Sequence, residues 1–347
     1  MHLAARHRRR RNAQHSTDSS SGRGLVFSLS NRRSRFAAAV LSVGLLASGL
    51  STWALLGTSA APAAAAPGNP GTPSAPTVAF QENFENGVGN APVALTAYTG
   101  VTGQKYTADP AWLSNCNGQV RNFNTPASTL GNCVNDTETA NLNQLAYALG
   151  AHSGAQTPAS NHAVTAYTEG NPGANATEFR TATNVPLASS SGRFLTFSVD
   201  TAAVNCQVSA PLYQFAFLDQ AGTATNVGGQ LNACTSTQTV SVPANGTLPA
   251  RAINVGTYTS NGSVLLNGST LGIRMQNANG SGTGNDAAFD NIRILDVTPQ
   301  LDKAFSPASI HTGQTSTLTF TVTNTSELAA KNGWSFTDTL PAGVTLA

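Results

Sequence analysis

Residues 193–200 read RFLTFSVD, and this stretch decides the fold. Leu195, Phe197 and Val199 occupy alternate positions, with Thr196, Ser198 and Asp200 between them. A period of two places the first set on one face of a strand and the second set on the other. The alternation recurs downstream. Tyr213, Phe215 and Phe217 share a face in LYQFAFLDQAG, as do Val240 and Val242 in TQTVSVPANG. Leu271, Ile273 and Met275 align in STLGIRMQNANG, and Ile292 and Ile294 in FDNIRILDV. Short strands divided by Asn, Asp and Gly turns indicate a β-sandwich. One segment departs from this period. In ETANLNQLAYALG, 138–150, Leu142, Leu145, Ala146 and Leu149 are spaced for a helix face. The stretch 159–176, ASNHAVTAYTEGNPGANA, shows neither period and is expected to be a long loop.

Composition agrees with strands. Only 10% of the 347 residues are charged, so the Glu, Lys and Arg that dominate long surface helices are scarce. The formal net charge of +2 hides an asymmetry. Nine arginines and one acid, Asp18, precede residue 67; the remainder carries nine basic residues against fifteen acids. A clustered basic face of the kind a nucleic acid needs is therefore absent from the remainder, and no nucleic-acid partner is expected.

Residues 1–66 have the layout of an export signal. RHRRRR and NRRSRF form a basic region, FAAAVLSVGLLASGLSTWALLG an apolar core, and APAAAAP a small-residue cleavage region ending near Ala65 or Ala66. The apolar core is also long enough to be a retained membrane anchor, the less favoured reading. Residues 67–76 form a Pro/Gly/Ser linker. Export makes Cys116, Cys133, Cys206 and Cys234 candidates for two disulfides. Of the three pairings, Cys116–Cys133 with Cys206–Cys234 closes the shortest loops and is the expected one. Zinc is not expected: there is no C-x-x-C pair, and His152, His162 and His311 are scattered.

After Asp296 the pattern stops and restarts. Pro299 cannot donate to a continuing ladder, so it marks a seam. Beyond it, TSTLTFTVTNTS alternates with Leu318, Phe320 and Val322 inward, and NGWSFTDTLPAG repeats the pattern with Trp334 and Phe336. The expected class is all-β: a jelly-roll or lectin-like sandwich over 77–297, then the N-terminal part of an immunoglobulin-like sandwich over 299–347, truncated before its last strands.

The second segment carries a recognisable motif. Lys303, Phe305, Ser306 and Pro307 are followed by Gly313, Ser316, Leu318, Phe320 and Asn324, then by Asp338, Leu340, Pro341 and Gly343. This pattern resembles the tandem stalk repeat of actinobacterial surface proteins, which implies display at a cell surface and no chemistry. The first domain resembles the lectin-like, non-repetitive region of fibrillar adhesins through FQENFENG, ADPAWLSNCNG and GNDAAFDNI. The usual ending of such domains pairs two acids where this chain has Asp290 and Asn291. Where first and last strands run side by side, Glu82 or Glu85 and Asp286 or Asp290 would share a structural calcium ion. The competing reading leaves these acids as turn caps and solvated side chains.

No constellation for catalysis is complete. GAHSGA around Ser153 lacks the flanking glycines of a nucleophile elbow, and Glu82 and Glu85 point apart on a strand. The chain is therefore expected to be no enzyme. Aromatic rings offer a sugar platform instead. The candidates are Tyr98, Tyr106, Tyr147, Tyr258, and above all Trp112 beside a cysteine and Tyr167 in the polar loop. The expected function is that of a secreted, wall-displayed adhesin that binds a glycan or an extracellular protein on another surface, touching a membrane only through its signal. A purely structural wall component and a carbohydrate-active enzyme with an unrecognised site are the alternatives.

Overall fold

The computed structural model describes residues 69–168, 173–187, 192–260, 262–279, 286–333 and 335–347, together with the backbone of 25–29. In chain order the strands are β1 (Leu25–Leu29), β2 (Thr77–Glu82), β3 (Val93–Ala94), β4 (Tyr106–Thr107), β5 (Asn117–Arg121), β6 (Ala163–Ala166), β7 (Ala176–Thr181), β8 (Val185–Pro186), β9 (Arg193–Val204) and β10 (Tyr213–Leu218). They continue with β11 (Ala224–Leu231), β12 (Thr239–Val242), β13 (Arg251–Thr259), β14 (Val264–Leu266), β15 (Thr270–Asn277), β16 (Asp286–Asp296), β17 (Gln300–Ser306), β18 (Thr315–Thr323) and β19 (Val344–Leu346). One α-helix, α1 (Asp136–His152), lies between β5 and β6.

Contacts divide the described residues into two compact units, 69–300 with Thr323–Thr337, and Leu25–Leu29 with Leu301–Val322 and Asp338–Ala347. The larger unit is a sandwich of two antiparallel sheets. One sheet runs β11-β10-β15-β7-β4, with β8 also beside β15. The other has nine strands, β12-β13-β9-β16-β6-β5-β3, with β14 beside β9 and β2 beside β16. The alternating residues face where their period places them. Leu195, Phe197, Val199, Phe215, Phe217, Ile273, Met275, Ile292 and Ile294 are all buried in one core between the sheets. Burying a side chain of this size contributes about 1.5–3 kcal/mol, so the inward rows dominate the stability of the sandwich.

The helix forms where its spacing indicates. Asn135 caps it, its side chain accepting a hydrogen bond from the Thr137 N–H, and Asp136 and Glu138 favour the positive end of its dipole. Leu142, Leu145, Ala146 and Leu149 pack on Ala202, Val204, Val242, Ile253, Val255 and Ala288. These residues belong to the outer face of the nine-stranded sheet, so α1 is a lid on that face. Its close approach depends on Gly150, where a Cβ would come within 2.5 Å of the Asn161 Cβ.

Two local expectations fail. The supposed loop 159–176 contains β6, which pairs with β5 on one side and β16 on the other. Four small residues, AVTA, are too few to show a period; neighbouring strands recruit them. In the smaller unit, order β17-β18-β1-β19, Leu318 is buried but Val322 is 47% exposed. The expected strand around Phe336 does not form among the described residues, and Phe336 is 43% exposed. Trp334 lies outside the described residues, as does the export signal apart from β1.

Both disulfides are present, Cys116–Cys133 and Cys206–Cys234. Such bonds fit an oxidising, extracellular compartment. No helix among the described residues is long and apolar enough to cross a membrane.

Candidate functional site

The outer face of the nine-stranded sheet changes character where α1 ends. Along β9, even-numbered residues point outward: Val204 and Ala202 lie under the helix, then come Asp200 and Ser198. The register carries the change across the sheet. Thr257 of β13 stands opposite Asp200, Arg293 of β16 opposite Ser198, and Gln81 of β2 opposite Arg293. Apolar residues are covered by the helix and polar ones are left open to water. A solvent-open cleft of about 460 Å³ results, lined by Gln81, Glu82, Asn83, Ser153, Ser198, Asp200, Thr257, Asn291, Ile292 and Arg293. A second depression of about 390 Å³ continues past His152, Thr257 and Tyr258 to the turn at Thr235–Gln238.

A bulge in β16 organises the first cleft. Asp290 opposes Asp200 and Arg293 opposes Ser198, so Asn291 and Ile292 together face a single residue of β9. Asn291 adopts φ 50°, a left-handed conformation that Asn accepts more readily than most residues. The bulge turns its side chain toward Asp200, and Asn291 Nδ2 donates to Asp200 Oδ2 at 2.9 Å. Thr257 Oγ1 donates to Asp200 Oδ1 at 2.5 Å. His152, the last residue of α1, has Nε2 2.9 Å from Thr257 Oγ1 and 3.9 Å from Asp200. Both Asp200 oxygens are thus fixed, and the carboxylate is pre-oriented at the cleft floor.

Behind this network the acids are buried and separately satisfied. Asp290 is fully buried and accepts from Asn161 Nδ2 at 3.0 Å and from the Asn291 N–H. Burial pushes its carboxyl well above the usual range; hydrogen bonds from Asn161 and Asn291 oppose this, and the charges of Glu85 and Asp200 add to it. Asp286 accepts from Asn141 of α1 and from Asn205, and burial raises it to about 6. Glu82 accepts hydrogen bonds from the Phe84 N–H, the Tyr98 hydroxyl and the Tyr106 hydroxyl. Burial, with Glu82 beside them, holds both tyrosines protonated. Glu85 binds His162, with Oε2 2.7 Å from Nδ1 and Oε1 accepting from the backbone N–H. Each of the four acids expected to hold calcium therefore serves a different partner. Among the described residues no group of three or more His, Cys, Asp or Glu is placed to hold a metal ion.

The aromatic platform is not assembled. Trp112 is 0% exposed and belongs to the core between the sheets, as do Tyr98 and Tyr106. Tyr167 follows the central strand β6 and is half-buried against the helix-side cluster. Tyr147 packs on Phe123, and the Tyr258 hydroxyl donates to the Asn232 carbonyl. The cleft network escapes a reading of the sequence because its members lie far apart in it: His152, Asp200, Thr257 and Asn291. The one local signal is the polar residues on the outward positions of an otherwise apolar strand, RFLTFSVD.

Residues 299–347 match the Domain of unknown function (DUF7933). The whole motif from Lys303 to Gly343 lies inside that span. No curated protein matches the chain. Among solved structures, the chain is similar to the CBM22-1 xylan-binding domain of Xyn10C from Paenibacillus barcinonensis, with a TM-score of 0.27 and 10% identity over 65% of this chain and 99% of that one. It is also similar to the enzymatically active domain of tailspike protein 4 of bacteriophage CBA120, with a TM-score of 0.23 and 14% identity over 39% of this chain and 16% of that one. Both likenesses are distant, and no residue role is carried over from either.

Proposed function

We propose that this protein is a surface-displayed, non-catalytic binding protein whose sandwich holds a glycan in the cleft over β2, β16, β9 and β13. One observation carries the reading: the pre-oriented Asp200 at the floor of an open, polar depression. Sugar hydroxyls both donate and accept, and the lining supplies both functions from Asp200, Asn291, Thr257, Ser153, Ser198, Gln81 and Asn83. The volume falls in the range of small-ligand sites. A protein partner would favour aromatic and apolar groups at the centre of its contact, and the cleft has no aromatic residue in its lining and Ile292 as its one aliphatic one. Residues 299–347 are proposed to begin the stalk that displays the sandwich at the cell wall.

Binding without turnover is part of the proposal. Of the two lining acids, Asp200 has both oxygens engaged and Glu82 is held by three donors on the core side. Glycosidic hydrolysis asks for two carboxyls flanking one bond, one of them ready to give a proton.

The test is a glycan array with the purified chain, followed by calorimetry on the best ligand. Asp200→Asn and Thr257→Val should each weaken binding about tenfold or more, the loss of one charge-assisted hydrogen bond. Absence of any glycan bound, or unchanged affinity in both variants, would sink the reading. A hydrolysis screen on polysaccharides should show no product.

A further inference from the structure

The cleft contains one strong charge whose partner the fold does not supply. Arg293 lines the cleft, is exposed, and among the described residues has no carboxylate within ion-pair distance. Its cross-strand neighbours are Gln81 on β2 and Ser198 on β9, both uncharged. Lys105, Arg180 and Arg274 likewise have no carboxylate within ion-pair distance among the described residues, but none of them lines this cleft. Arg193 pairs with Asp296, and buried Arg121 bonds Gln119, Asn143 and the carbonyls of Thr125 and Pro126. The two acids that line the cleft form no ion pair with it: Asp200 accepts hydrogen bonds from Thr257 and Asn291, and Glu82 from Tyr98, Tyr106 and the Phe84 N–H.

Resting on the glycan-binding reading, we infer that the ligand is an acidic glycan, a polymer bearing uronate or sulfate groups, and that Arg293 reads its anionic substituent. Guanidinium offers a planar fork of donors that matches a carboxylate or sulfate edge. Neutral donors and acceptors at Gln81, Asn83, Ser153 and Ser198 line the same cleft and serve ring hydroxyls. The second depression, sharing Thr257, extends the groove across the strands toward Thr235–Gln238. From β2 to β13 the groove spans roughly 14 Å, from the usual spacing of neighbouring strands. Such a length suits a stretch of linear chain rather than one sugar, with the charged substituent anchored at the Arg293 end.

The experiment compares three probes on the full chain by calorimetry: a 1,4-linked oligogalacturonate, the same oligomer with its carboxyls reduced to alcohols, and a sulfated oligosaccharide. The acidic probes should bind about tenfold or more tighter than the reduced one at low salt, with the difference shrinking as ionic strength rises. Arg293→Gln should bring acidic and reduced oligomers to within about twofold, and Arg293→Lys should keep a preference for charge. The uronate and sulfate arms tell which anion is read; preference for either supports the inference. Equal binding of reduced and acidic oligomers, or a preference that survives Arg293→Gln, overturns it and leaves the glycan reading standing. Failure of every probe and of the wider array overturns both.

Discussion

Asn291 shows how one residue shapes the cleft. A left-handed backbone, an extra residue in the ladder and a side chain on Asp200 all depend on it. Asn291→Gly keeps the permitted backbone and removes the amide, so it should fold normally and lose glycan affinity. Asn291→Val forces a β-branched residue to positive φ and should also lower stability by about 1–3 kcal/mol. Thermal melts beside calorimetry separate the two effects. His162 offers a second residue-scale test. It is buried, and burial works against its charge, but its hydrogen bonds to Glu85 and the Gly89 carbonyl outweigh that and raise its pKa above 6.5. A raised histidine stabilises the fold fully below the unfolded pKa and stops doing so as pH rises through the folded one. Glu85→Gln should therefore cost about 1 kcal/mol near pH 5.5, where Glu85 is partly solvent-screened, and less at pH 9. A cost independent of pH would show that the pair contributes only shape.

At the scale of elements, α1 and the two disulfides do different work. Leu145 is fully buried between the helix and the outer sheet face. Leu145→Ala should destabilise by about 2–5 kcal/mol through lost transfer energy and a cavity, measured by denaturant titration. Because α1 also delivers His152 to the cleft edge, binding should weaken in the same variant under conditions where it remains folded. The disulfides differ in access. Cys116 and Cys133 are 0% exposed, whereas Cys206 is exposed and Cys234 half-exposed. Thiolate exchange needs access to a sulfur, so mild reductant on the native protein should open only Cys206–Cys234. Alkylation and mass spectrometry would find the label on those two residues; labelling at Cys116 or Cys133 first would contradict this order.

Across the whole sandwich, buried acids set the response to pH. Burial raises Glu178 to about 8, against a hydrogen bond from Asn277. It raises Asp286 to about 6, and it holds Asp290 well above its ordinary value. In each case the folded state keeps a proton that the unfolded chain releases, so stability is full below the ordinary carboxylate range and falls as pH rises through the folded values. His162 acts in the same direction above pH 6.5. Glu327, lowered by Lys331 against the effect of burial, acts oppositely below its ordinary range and is exposed enough to matter little. The melting temperature should therefore be highest at about pH 4 and decline toward about pH 8.5. Glu178→Gln should flatten the alkaline part of that decline and raise the melting temperature at pH 8. A profile rising with pH would contradict these protonation states.

Much of the fold was legible in the chain because it is written locally. A period of two in RFLTFSVD or STLGIRMQNANG forces apolar rows to one face, and the row at Leu142, Leu145, Ala146 and Leu149 forces a helix. The two sheets, their core and the helix follow from that. What only the tertiary structure decided is which polar residues meet. Register across β2, β16, β9 and β13 brings Gln81, Arg293, Asp200 and Thr257 to one floor, a bulge turns Asn291 into it, and the end of α1 leaves it uncovered. The same packing placed Trp112 in the core and gave each suspected calcium ligand its own protein partner. Periodicity fixes the face on which a residue lies, and pairing between distant strands fixes its neighbours. A binding site is made of neighbours, so the sequence determined the sandwich and the three-dimensional pairing determined the cleft.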